Sequence, residues 1–149
     1  MIDNRTASAI DLALQKYDTP VGLLFAAVRH GRMKRCFSMD TAIRYLAFFM
    51  TTEVFERFGY EQRYPDVEKI HPTDPGLSCW ERGQTTREYY HAHQRCIRRL
   101  RRILARKREM QRWCEKWDAM HDRYVKEREE LKASKPAEVR NGSHSTRSI

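Results

Sequence analysis

The sequence predicts an all-α protein: a small N-terminal helical domain followed by a long, basic, partly heptad-patterned helix that forms a coiled coil or a helical hairpin. Three observations predict it. Apolar residues recur at spacings of three and four through residues 10–58, capping signals precede each recurrence, and no Pro or Gly occurs between Gly83 and Pro136. A chain of 149 residues holds one ordinary domain, or a small domain with one extension, which excludes large multidomain enzymes. With 40% hydrophobic and 33% charged residues it buries a modest core and is too polar for a membrane protein or a core-rich enzyme.

Asn4 or Thr6 offers the side-chain oxygen that caps a first helix, with Ile10, Leu14 and Tyr17 on one face. Thr19 before Pro20 marks the start of a second, whose apolar face is Leu23, Leu24, Ala27 and Val28 and whose end is Gly31. Residues 31–37 form a basic connector. Ser38 then caps a third helix that runs to Phe58 and stops at Gly59, with Ile43, Leu46, Ala47, Met50 and Val54 as its core face. Phe48, Phe49, Phe55 and Phe58 widen that face, so this helix sits between the first two and a further element. These residues, 1–59, make the N-terminal helical domain.

Pro65, Pro72, Pro75 and Gly76 turn residues 60–84 into a connecting loop over the domain surface. Thr85-Thr86-Arg87-Glu88 supplies a capping box, Thr85 serving the amide three residues on while Glu88 reaches back, and opens a long helix over residues 85–133. At about 1.5 Å per residue such a helix spans about 72 Å, so it projects, folds back or pairs with another chain. Tyr89, Cys96, Ile103, Met110, Trp117, Tyr124 and Leu131 recur every seven residues. The alternate heptad positions, His93, Leu100, Lys107, Cys114, His121 and Arg128, are mixed, although Ile97, Leu104, Trp113 and Met120 flank the seam. The pattern predicts self-association into a homo-oligomer, or a helical hairpin, rather than a regular leucine zipper. Residues 134–149 lack periodic apolar residues and read as a disordered tail.

Lys and Arg number 29 against 20 Asp and Glu, a net charge of +9, and the excess is concentrated. Residues 95–112 hold nine basic residues and one acid, Glu109. Arg95, Arg98, Arg99, Arg102 and Arg106 fall along one side of the helix, where fixed guanidinium forks match carboxylate or phosphate oxygens. Trp113 and Trp117, with Met120 and Tyr124, add an aromatic stripe, which is more often a core or dimer seam than a base-stacking platform and on a projecting helix also suits a protein-binding hot spot. For the arginines the bland alternative is a solvated, self-repelling helix face whose charge is offset by the acids from Glu115 to Glu130, along the same helix or across an antiparallel partner. A second basic cluster, Arg29, Arg32, Lys34 and Arg35, admits a helix-turn-helix reading. The long connector and the apolar third helix argue against it.

His91 and His93 stand two residues apart, about 200° around a helix, and with Cys79 and Cys96 they match no zinc-ligand spacing, so no metal is expected. No phosphate loop, nucleophile elbow or catalytic carboxylate pair is present in the sequence, which predicts a protein without catalytic residues or cofactor. Four cysteines without a Cys-x-x-Cys pair, and a start at Met1-Ile2-Asp3-Asn4 without a basic and apolar leader, predict a reduced, cytoplasmic protein. The longest apolar stretch, residues 42–50, is interrupted by Arg44 and is too short to span a bilayer.

At Asp18-Thr19-Pro20-Val21-Gly22, at Arg29-His30-Gly31-Arg32-Met33-Lys34-Arg35-Cys36-Phe37-Ser38 and at Ala42-Ile43-Arg44-Tyr45-Leu46, the chain resembles the Tum antirepressors of temperate enterobacterial phages, over residues 1–60. That family is made when the host DNA-damage response is triggered and inactivates the lysogenic repressor. The resemblance therefore implies a non-enzymatic role in prophage induction within the bacterial host, with a phage repressor as partner. A DNA mimic would present an acidic surface, which a chain of charge +9 does not offer. The expected mode is direct contact between the basic, aromatic long helix and an acidic or apolar surface of the repressor. The rival reading is a basic helical DNA-binding transcriptional regulator whose nucleic-acid affinity falls steeply with salt. The blandest is a structural coiled coil.

Overall fold

The computed structural model describes residues 8–74 and 76–138, so the expected caps Asn4 and Thr6, and the tail beyond residue 138, lie outside the described residues. The chain divides into two compact units, residues 1–107 and 108–149. The elements are α1 (Ala9–Ala13), β1 (Leu14–Thr19), β2 (Gly22–Arg29), β3 (Arg32–Cys36), α2 (Met39–Phe58), β4 (Val67–Ile70), β5 (Ser78–Glu81) and α3 (Arg87–Ala133).

The all-α expectation is overturned. The first unit contains two antiparallel sheets, one of three strands in the order β1-β2-β3 and one of two, β4-β5. The first predicted helix is present only as the five residues of α1, with Ser8 at its N-cap, and where the sequence predicts its continuation to Tyr17, a second helix and a connector, residues 14–36 form a meander. Its turns explain why. Thr19 pairs with Gly22 across Pro20-Val21, so proline fixes the bend rather than starting a helix. Arg29 pairs with Arg32 across His30 and Gly31, whose φ values of 51° and 73° are both left-handed, as a two-residue hairpin turn requires. Gly31 is thus a hairpin residue and not a helix terminator. The six apolar residues from Leu23 to Val28 suit a strand whose successive side chains are both covered, and Ala26 and Ala27 are both buried. A meander of this kind contradicts the helix-turn-helix reading.

α2 follows the sequence closely. The Ser38 hydroxyl accepts the Thr41 amide at 3.5 Å, and Gly59 closes the helix in the left-handed conformation at φ 70°. Its Ala42, Ile43, Leu46 and Ala47 join Leu14 and Ala27 of the sheet and Ile97 and Leu100 of α3 in one core. α2 therefore packs between the sheet and the first part of α3. Tyr89 secures that packing, with its ring edge-on to Phe55 at 5.1 Å and its hydroxyl 2.8 Å from Thr52 Oγ1. Arg101 reaches Asp40 at 2.6 Å, and Lys107 pairs with Asp11.

The connecting region holds the small β4-β5 hairpin instead of a featureless loop, and hydrogen bonds join its two flanks to each other and to the α3 cap at Thr86. Tyr64 N–H donates to the Gln84 carbonyl at 2.8 Å, Gly83 N–H to Asp66 Oδ1 at 2.8 Å, and the Thr86 hydroxyl to the Glu61 carbonyl at 2.9 Å. Thr86, not Thr85, caps α3, its hydroxyl accepting the Tyr89 amide at 3.3 Å.

α3 is one continuous helix of 47 residues, which removes the helical-hairpin alternative. In the second unit its residues 108–133 are all exposed, and residues 134–138 form a turn and an irregular stretch. No helix of the described residues is long and apolar enough to cross a membrane.

Candidate functional site

Within the first unit, the outer edge of the α2–α3 packing opens into a groove of about 570 Å³. Met50, Thr51, Val54 and Phe55 of α2 form its floor, and Ala92, Arg95, Cys96, Arg98, Arg99 and Arg102 of α3 form its wall. Helical geometry accounts for the wall, because spacings of three and four put these arginines on one side, adjacent to the Ile97 and Leu100 stripe that docks α3 on α2. The floor has a different origin. Met50 and Val54, one helical turn apart, belong to the expected core face, yet Val54 is 49% exposed because α3 covers only part of α2.

The groove is strongly positive. Among the described residues, none of Arg95, Arg98, Arg99 and Arg102 has a carboxylate within ion-pairing distance. Arg101, on the same helix, is instead occupied by Asp40, whose carboxyl is held below the usual carboxylate range by its hydrogen bonds to Arg44 and Arg101. Cys96 also lines the groove. Burial pushes its thiol up, against a hydrogen bond with Thr51 and the charges of Arg99 and Arg29, so it is a thiol and not a thiolate at neutral pH. The chemistry of such a groove suits carboxylates or other oxyanions at its wall and apolar groups on its floor.

The other expected site residues are distributed differently. Arg106 is exposed on α3 and does not line the groove. Trp113 and Trp117 lie exposed in the second unit, at 60% and 52%. The cluster Arg29, Arg32, Lys34 and Arg35 lies on the β2-β3 hairpin and does not present one face. Arg32 pairs with Glu56 of α2 at 3.1 Å, Lys34 sits over the Tyr45 ring at 5.2 Å, and Arg35, alternating with Lys34 along the strand, falls on the other side of the sheet. Of the four, only Arg29 contributes to the groove, through its field at Cys96. His93 approaches the Arg44 carbonyl at 3.2 Å, which ties it to α2.

A second hollow, of about 530 Å³, lies against the β4-β5 hairpin. Its one lysine, Lys69, is already paired with Glu81 at 2.9 Å, so it lacks the unmatched charge of the α2–α3 groove. The floor of the groove is what sequence reasoning missed. The only trace of it in the sequence is that α2 carries more apolar residues than one docked face needs. Compared with family models, with curated proteins and with solved structures, the chain matches none of them.

Proposed function

We propose that this chain is a non-enzymatic regulator that acts by gripping another protein, an antirepressor that binds a lysogenic repressor and removes it from its operator to promote prophage induction. The observation that carries the reading is the groove, with four arginines free of carboxylates among the described residues standing over an apolar floor. Such a surface fits an acidic segment that also carries apolar side chains. A duplex backbone engages the arginines alone and leaves Met50 and Val54 uncovered, so the geometry favours a protein partner over DNA. The resemblance of residues 1–60 to Tum antirepressors supplies the kind of protein. Release from the operator requires that the groove bind the DNA-free repressor more tightly than the DNA-bound form, since only a differential affinity shifts that equilibrium.

A mobility-shift titration on operator DNA at physiological salt tests this. Added to the preformed repressor–operator complex, the protein releases the repressor, and added to operator alone it produces no shift. A salt-sensitive shift by the protein alone moves the assignment to a DNA-binding regulator.

A further inference from the structure

The second unit carries an apolar stripe that the groove does not use. Met110, Trp113, Trp117, Met120, Tyr124 and Leu131 are exposed by 52–73%, although each is a residue type that proteins ordinarily cover. Their spacings of three, four, three, four and seven put them on one face of α3 with the alternation of a coiled-coil seam. This phase differs from the sequence reading, because Trp113 and Met120, rather than Cys114 and His121, alternate with Met110, Trp117 and Tyr124. We infer that a second copy of this chain covers the stripe, and that residues 108–133 of two chains pair as antiparallel helices.

Three features specify that occupant. The six side chains expose on the order of 800 Å² per helix, about what each partner of a standard-size protein interface buries. Residues 108–133 hold seven basic and seven acidic residues, so two copies do not repel, whereas residues 95–107 hold seven basic residues and no acid. A parallel pair would set those two basic segments side by side. It would also place Glu127, which interrupts the seam between Tyr124 and Leu131, against its own copy. Antiparallel pairing removes both repulsions.

Multi-angle light scattering of the full chain at micromolar concentration, together with lysine cross-linking of a mixture of isotopically light and heavy chains, tests the inference. The wild type runs at twice the chain mass, and Trp117→Gln/Met120→Gln runs as a monomer. Mixed-isotope cross-links join Lys107 or Lys116 of one chain to Lys126 of the other. A monomeric wild type, or a variant that keeps the dimer mass, overturns the seam. A mixed-isotope link between Lys132 and Lys132 overturns the orientation, and because it is read on wild-type protein it decides even if the variant loses helix. The arginine groove is untouched in both proteins, so this result is independent of the proposed repressor binding.

Discussion

Two side chains report directly on how α2 and α3 are joined. Tyr89 spans the packing with its ring against Phe55 and its hydroxyl on Thr52, a buried pair in which each oxygen is the other's partner. Tyr89→Phe keeps the ring and orphans the Thr52 hydroxyl, so it lowers stability by about 1 kcal/mol, read as a lower denaturation midpoint at unchanged slope. Cys96 reports on the groove through its titration. Burial favours the neutral thiol in the folded protein, so its stabilising contribution is complete below the ordinary thiol pKa of about 8.5 and is lost as pH rises through the elevated native value. At pH 8, iodoacetamide therefore labels the exposed Cys79 and Cys114 before Cys96, and a bound partner slows Cys96 further. Labelling of Cys96 first would contradict the groove's geometry.

At the scale of elements, the β2-β3 turn is the most exacting local feature, because Gly31 holds φ at +73° with no atom near enough to obstruct a side chain. Gly31→Ala thus isolates backbone strain and costs about 1 kcal/mol, measured by chemical denaturation. The same turn shows why the meander was hard to read. Thr19-Pro20 and Gly31 are helix start and stop signals and equally hairpin signals, and the run from Leu23 to Val28 satisfies a period of 3.6 as well as a covered strand. β4 and β5 have four residues each, all exposed, and show no alternation to detect. Where the signal was local and unambiguous it was legible. The Ser38 cap and the Gly59 stop bounded α2, and the absence of Pro and Gly gave α3 to within two residues. The arginine wall was equally visible because one helix face carries it. The floor was not, since Met50 and Val54 meet Arg95 and Arg99 only through tertiary packing across more than 40 residues of chain.

At the scale of the whole molecule, charge is partitioned along the chain, and the partition divides the work. Residues 95–107 hold seven basic residues and no acid, and four of those arginines line the apolar-floored groove, while residues 108–133 are balanced and carry an unpartnered apolar stripe. The first suits capture of an acidic partner, with an association rate that rises as salt is lowered. The second suits pairing with a like helix. The claim on which the functional account rests is that the groove holds the repressor. It is tested most directly by fluorescence-anisotropy titration of labelled repressor with the wild type and with Arg98→Glu/Arg99→Glu/Arg102→Glu, a variant whose changes lie on exposed positions and leave the core intact. The account predicts binding by the wild type and affinity weaker by about 100-fold or more in the variant, at unchanged circular dichroism. Equal binding by the two proteins would contradict it.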